Sequence, residues 1–489
     1  MRKIFDPQMS FGQTPIDQIK IDMRSRDEIP KLLLGLQHIY CNLELRQKIF
    51  KLLETMIPHE TNSKTGRPGM DLWKILVAGT IRINCNWDYD KLREIINNHK
   101  TIRQMLGHGM MDDDVIYPLQ TLKDNISLLT PEILDKINTL IVKEGHKVLF
   151  KKKDQNLMGR CDSFVVETDV HYPTDINLLF DAVRKMIQLA ALISQAQGQT
   201  LWRQYEYNIR SFKRLFRHAQ QLKRSTSKDK KKKIIREELI INAHKIYIEA
   251  AQGYIQKAIW TLDNTVSNDL LNLARVQALE GFISHAERQI NQTRRRVVLG
   301  KKIPHHEKVF SIFQPHTEWI SKGKAGIPQE LGLRVCILED QRGLILHHKV
   351  MEKETDDKIA VSMVDSTLKK FPGFKGCSFD KGFYTPSNKK ELKSMLDTLV
   401  LPKKGKRNKA EQEEETSEEF IRRKREHSAV ESAINGLENH GLDRCLDHGI
   451  QGFKRYVSLA VLSRNLQIIG HDIQQKKLKQ LQRSKRKAA

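Results

Sequence analysis

Cysteine is sparse and scattered. Cys41, Cys85, Cys161, Cys336, Cys377 and Cys445 contain no C-x-x-C pair. That spacing speaks against a zinc module and against a disulfide framework, and it fits a reducing cytosol. Long apolar runs are missing too, with no window approaching the ~20 residues needed to cross a bilayer. The opening Met1-Arg-Lys-Ile-Phe5 runs into polar sequence without an apolar signal core, so a cytoplasmic protein is expected. Negative charge is in short supply: 59 Asp and Glu stand against 84 Lys and Arg, a formal charge of +25. Such an excess favours association with a polyanion, and DNA or RNA is the first candidate. At 489 residues the chain exceeds one ordinary core, and roughly two to four domains are expected.

Up to about residue 150 the sequence reads as short helices with polar joints. Ile29–Gln37 and Leu43–Ile57 carry apolar residues at helical spacing. Thr65-Gly-Arg-Pro-Gly69 then breaks the chain, and Asp71 is placed to cap a helix over Leu72–Ile83. Further helices are expected over Tyr89–Asn97 and near Thr101–Leu106. The aromatic and β-branched run Cys161–Val170 is a strand, ended by His171-Tyr-Pro-Thr-Asp175, where Thr174 or Asp175 caps the next helix. The chain then turns helical to about Arg296. Leu179, Ala182, Val183, Met186, Ile187 and Ala190 share one face of the first helix. Leu201, Tyr205, Asn208, Phe212, Leu215, Ala219 and Leu222 come next at alternating steps of four and three, a heptad seam.

Strands resume only after this block, which therefore reads as an insertion. Leu331–Leu338 and Gly343–Val350 form a hairpin. A helix over Lys358–Lys370 is stopped by Pro372-Gly373, Gly376–Asp380 is a strand, Asn388–Asp397 a helix, and Thr398–Leu401 a last short strand. This order is that of a ribonuclease H-like α/β domain split after its first strand. Lys403–Glu419 reads as a charged low-complexity loop, and helix runs from Ser417 into a basic tail.

Two acids carry chemical promise. Asp380 directly follows Cys377-Ser-Phe379 although aspartate is disfavoured in strands; Gly382 lets the chain turn, and Phe383-Tyr384 can pack beneath the acid. Glu431 lies in a helix flanked by basic residues, with His427 one turn before it and Glu438 about two turns after, on one face. Turn aspartates and charged helix faces are common on any surface. Acids delivered from a strand end and a helix, in a chain this basic, nevertheless suit cations held against a nucleic-acid phosphate. Two-metal phosphoryl transfer needs acidic ligands converging on ions about 4 Å apart. Mg²⁺ and Mn²⁺ prefer oxygen ligands and Mg²⁺ retains several waters, so few carboxylates suffice. A third acid would come from Asp162, Glu167, Asp169 or Asp175, in or beside the first strand.

Ser378-Phe-Asp-Lys-Gly-Phe-Tyr384 and Arg425-Glu-His-Ser-Ala-Val-Glu431, continuing to Arg444, resemble the DDE transposases of bacterial insertion sequences, especially the ISNCY-like group. Asp380–Phe383 fits the pattern D-x-G-[FY]. His427–Cys445 reproduces H-x-x-V-E-x-x-I-N-x-L-E-x-H-G-L-D-R-C. Asp162–Asp175 resembles the opening strand D-[ST]-T-V-V-E-T-x-I-H-Y-P-T-D, with Phe164 where threonine is usual and Asp169 at the variable position. The run from Gly66-Arg-Pro-Gly69 to Leu106-Gly107 is similar to the family's amino-terminal helical domain, and Phe313–Lys324 also fits.

The resemblance implies a ribonuclease H-like catalytic core interrupted by an all-helical insertion, with a helical amino-terminal DNA-binding domain. The parts are 1–150 (DNA-binding), 155–175 (first core strand), 176–300 (insertion), 301–470 (remaining core) and 471–489 (basic tail). It makes Asp162, Asp380 and Glu431 catalytic metal ligands, with Asp169 as the alternate first acid, for Mg²⁺ or in its place Mn²⁺. Arg67, Lys322, Lys324, Arg425, His427 and Arg444 become contacts to DNA phosphates or groups orienting the acids. Lys230–Lys233, Arg294–Arg296 and Arg422–Arg425 suit sequence-independent DNA contacts. The implied activity is cleavage and strand transfer on double-stranded DNA, at element ends and target, by a homodimer or larger assembly in the bacterial nucleoid, away from membranes. A metal nuclease of the same fold that does not join strands, or a non-catalytic DNA-binding protein derived from a transposase, are the rival expectations.

Overall fold

The computed structural model describes residues 3–5, 12–57, 69–150, 156–224, 229–265, 270–321 and 329–488, the last four by their backbone alone. They form two compact units, Met1–Asp169 with Glu318–Ala489, and Val170–Thr317. Among the described residues no helix is long and apolar enough to cross a membrane.

The first unit opens with α1 (Glu28–Cys41), α2 (Leu43–Glu54), α3 (Leu72–Asn84), α4 (Tyr89–Asn98), α5 (Lys100–Met105), α6 (Leu119–Ile126) and α7 (Pro131–Leu149). Local caps set several of these boundaries. The Asp27 carboxylate accepts from the Ile29 N–H, and Asn42 both ends α1 and caps α2 through the Leu45 N–H. Asp71 stands at the expected start of α3, but its carboxylate pairs with Lys74 at 2.9 Å instead of capping the backbone. Every residue of α3 except Lys74 is buried, which marks it as an internal helix and not an amphipathic surface one.

The same unit holds β1 (Leu157–Thr168), β2 (Glu318–Ser321), β3 (Gln329–Asp340), β4 (Ile345–Met351), β5 (Phe374–Phe379), β6 (Thr398–Val400) and the short β7 (Arg444–Cys445). These form one mixed sheet in the order β2-β3-β1-β5-β6, with β4 also on β3 and β7 also on β1. β1 pairs antiparallel with β3 and parallel with β5, which pairs parallel with β6. The fold is thus α/β with a mixed seven-stranded sheet.

Beyond the four helices of the second unit in chain order, two connecting helices are α12 (Asp356–Lys370) and α13 (Pro386–Met395). The chain closes with α14 (Lys409–Thr416), α15 (Glu418–His427), α16 (Ala429–Leu437) and the 40-residue α17 (Gly449–Ala488). The segment read as a loop from Lys403 to Glu419 contains α14, because Asn408 and Glu411 form a reciprocal capping box inside the charged run.

The helices of 1–150 do not make a core of their own. α17 packs along α1, α3 and α7, and one continuous apolar cluster runs from Ile16 through the sheet to Ile469. Backbone contact makes this possible: a Cβ on Gly470 would meet the Lys31 carbonyl oxygen at 1.8 Å, and one on Gly35 the Leu466 carbonyl oxygen at 2.3 Å. Asn138 of α7 and Asn465 of α17 join to each other at 2.7 Å. Both also donate to the Ile345 carbonyl of β4, so the buried strand end is hydrogen-bonded from two helices.

Among its described residues the second unit has helices and no strand: α8 (Asp175–Ala196), α9 (Tyr205–Leu222), α10 (Lys230–Asp263) and α11 (Leu270–Thr293). Thr174 caps α8 by accepting from the Asn177 N–H. The α8 face expected from the sequence is buried, and Phe212 of α9 stacks on Tyr247 of α10 with ring centroids 4.6 Å apart. Leu201 falls in a turn before α9, so the seam begins at Tyr205.

Candidate active site

The parallel pairing of β1 with β5 brings the first two acids together. Arg160 stands opposite Ser378 and Cys161 opposite Phe379. The next residue on each chain is therefore Asp162 and Asp380, about 5 Å apart at the usual spacing of paired strands. Asp380 keeps an extended backbone before the chain turns at Gly382, and Phe383 packs under the turn against Phe379, with ring centroids 5.4 Å apart.

Glu431 is exposed in the first turn of α16, and two polar ties hold the preceding helix to the sheet. His427, the last residue of α15, shares a 2.9 Å hydrogen bond between its Nδ1 and the Ser378 Oγ of β5. Arg160 of β1 donates from Nη1 to the Glu426 carbonyl at 3.2 Å and from Nη2 to the Asp340 carbonyl at 2.8 Å. Its Nε pairs with the Glu339 carboxylate at 3.0 Å. Burial holds the His427 imidazole below its ordinary pKa range, against the fields of Asp380 and Glu431, which raise it. His427 is therefore a neutral hydrogen-bonding group near pH 7, not a cation for phosphate.

Sequence reasoning missed Asp356, the first residue of α12. The Ser163 hydroxyl donates to its Oδ1 at 2.6 Å, and a Cβ on Gly382 would lie 3.1 Å from its Oδ2. Asp356 thus touches both acid-bearing segments. An aspartate in a first helical turn reads locally as a residue favoured by the helix dipole. Only its tertiary neighbours mark it out.

Burial raises the Asp162 carboxyl to about 6. The Ser163 N–H, donating to Asp162 Oδ1 at 2.7 Å, opposes that rise, while Asp380, Asp356 and Glu431 add to it. Three carboxylates therefore act on Asp162, and among the described residues none of the four has an ion-pair partner. An acid with raised proton affinity in the folded chain costs stability as pH climbs from the ordinary carboxylate range, ~4, through about 6. Asp162→Asn is accordingly expected to stabilise the metal-free protein by about 1–3 kcal/mol at pH 7.5, and by nothing near pH 4. Denaturation midpoints at the two pH values check this; an equal effect at both would contradict the raised proton affinity of the buried Asp162 carboxyl.

The other expected site residues lie elsewhere. Asp169 follows β1 seven residues after Asp162, about 23 Å along an extended strand. There it meets Arg444 at 3.8 Å, and Arg444 also pairs with Glu167 at 3.3 Å. Neither Asp169 nor Arg444 reaches the acidic group, because β7 pairs with the far end of β1. Arg425 is exposed on α15, two residues before His427. Arg67, Lys322 and Lys324 fall outside the described residues.

Among the described residues no three His, Cys, Asp or Glu side chains are arranged as ready metal ligands. The donor chemistry of the acidic group nonetheless fits a hard divalent cation: oxygen atoms only, no ion-paired base among the described residues, and an Asp162 carboxyl whose proton affinity is raised by burial and, to a lesser degree, by the neighbouring acids. Comparison of the chain with family models, with curated proteins and with solved structures finds no match.

Proposed function

We propose that this chain is a metal-dependent DNA strand-transfer enzyme of the DDE transposase type, with Asp162, Asp380 and Glu431 as ligands of Mg²⁺, for which Mn²⁺ substitutes. The reading rests first on one observation: the Cys161–Phe379 register aligns Asp162 with Asp380, in the field of Glu431 and with no basic partner among the described residues. The strand order supports it as well. β4-β3-β1-β5-β6, antiparallel up to β1 and parallel beyond it, is the order expected of a ribonuclease H-like core interrupted after its first strand.

Bound cations in such a group supply activation of an attacking oxygen and stabilisation of a leaving one. The chain's own residues do the rest. Asp162, fixed by the Ser163 N–H, and Asp380 present carboxylate oxygens from adjacent strands. His427 and Arg160 hold α15 to the sheet and so position Glu431, while Asp356 lies close to Gly382 in the turn after Asp380. Arg425, exposed on α15, is the cation this reading assigns to a DNA phosphate. On this reading the substrate is double-stranded DNA at the element's ends and at a target, recognised in part by the amino-terminal helices. The acting species is at least a dimer in the bacterial cytoplasm, on the nucleoid.

A strand-transfer assay decides it, using pre-cleaved duplex ends of the element that encodes the chain. Joined product is expected with Mg²⁺ or Mn²⁺ and none with EDTA. Hydrolysis without joining would make the protein a nuclease. Activities indifferent to chelation would leave only a DNA-binding protein.

A further inference from the structure

We infer that the outward face of α9 binds the phosphate backbone of double-stranded DNA without regard to sequence, an inference that rests on DNA being the substrate. α9 has two opposed faces. One buries Phe212 and Ala219 in the core of its own unit. The other exposes Tyr207, Arg210, Arg214, Arg217 and Gln221, at alternating steps of three and four that keep them in one stripe, with Lys213 exposed beside it.

The charges on this stripe are unbalanced. The helix has one acid in its first turn, Glu206, and none after it through Leu222. Among the described residues Arg210, Lys213, Arg214 and Arg217 have no ion-pair partner. Like charges three and four residues apart repel, so the arrangement weakens the helix unless an external anion offsets it. The neighbouring α10 shows the ordinary surface solution, with Glu237 and Glu238 following its basic start at Lys230.

The spacing fits a uniform polyanion. Arg210 and Arg217 are about 10 Å apart along the axis at ~1.5 Å per residue. Duplex DNA carries one charge per ~1.7 Å of axis, so three guanidiniums spread over that length meet phosphates in any register. α9 is also held rigid: Phe212 stacks on Tyr247, and the Trp202 indole N–H just before the helix donates to Thr261 Oγ1 at 2.8 Å. A membrane surface suits it poorly. Helices that lie on bilayers insert an apolar face, and the apolar face of α9 is already buried.

The test is duplex DNA binding by the full-length chain, over a range of salt, with Arg210, Arg214 and Arg217 all changed to Gln and, separately, all to Lys. The Gln variant should lower affinity for non-specific duplex at least about tenfold at low salt, and should flatten the slope of log K against log salt by about 2–3. The Lys variant should stay near wild type. A Gln variant with the wild-type slope overturns the α9 assignment and leaves the proposed activity standing. A wild-type chain with no salt-dependent affinity for duplex DNA overturns both. Loss of binding to phosphatidylserine vesicles with DNA affinity unchanged also overturns the assignment.

Discussion

Asp380→Asn is expected to abolish metal-dependent strand cleavage, lowering the rate by about a thousandfold or more, while DNA affinity stays within about threefold. The size follows from the role: a cation that stabilises transition-state charge contributes several kcal/mol, and each ~1.4 kcal/mol is a factor of ten. The fold should not suffer, because Asp380 is exposed at a strand end, outside the core, and Asn keeps its shape. Removing this charge relieves part of the repulsion on Asp162, so the variant is expected to be as stable as wild type or more so. Glu431→Gln should act the same way. Asp169→Asn is the internal control: its carboxylate pairs with Arg444 far along β1, and cleavage should stay near wild type. Full cleavage by Asp380→Asn or Glu431→Gln would reject the assignment; loss of activity in Asp169→Asn alone would move the first acid.

The largest loss of stability is expected from Asp447→Ala, about 3–5 kcal/mol, because it breaks a buried charge network from the centre. Arg82 of α3, 1% exposed, meets the Asp447 carboxylate at 2.8 Å, and Arg455 of α17 reaches its other oxygen at 3.3 Å. The Arg82 guanidinium also lies 3.7 Å from the centre of the Tyr89 ring. Asp447 is 4% exposed on the side chain, so its removal leaves the buried Arg82 guanidinium without its carboxylate and takes one partner from Arg455, which keeps the Ser127 carbonyl. An exposed pair has no such leverage: Arg444→Ala should cost less than about 1 kcal/mol. Urea denaturation followed by far-ultraviolet circular dichroism measures both. A cost for Asp447→Ala as small as that for Arg444→Ala would mean that the amino-terminal helices are not locked to the carboxyl-terminal one through this contact.

Much of the local structure was legible along the chain. The apolar spacing located α3 and α4 within a residue or two, Thr174-Asp175 marked the start of α8, and Pro372-Gly373 does follow the end of α12. α14 escaped because its helix signal is two polar caps, Asn408 and Glu411, hidden in a run whose composition alone reads as unstructured. Asp162 and Asp169 were rivals for a related reason. Both sit at the ends of one β-branched run, and nothing inside that run says which end will lie beside a second acid. The pairing with β5 decides it, and that partner is more than 200 residues away in the chain.

Features set by neighbours a few residues apart could be read from the amino acids alone: helix faces, caps, turns, the basic balance, and the motifs around Asp380 and Glu431. Features set by pairing across the chain emerged only when the protein was folded. Folding set Asp162 beside Asp380, sent Asp169 and Arg444 to the other end of β1, brought Asp356 in through Ser163, and merged the amino-terminal helices with the sheet in one core. The difference is one of range. Hydrogen bonds within a turn and the period of a helix are written into consecutive residues, whereas strand register and the meeting of like charges are fixed by which distant surfaces bury each other.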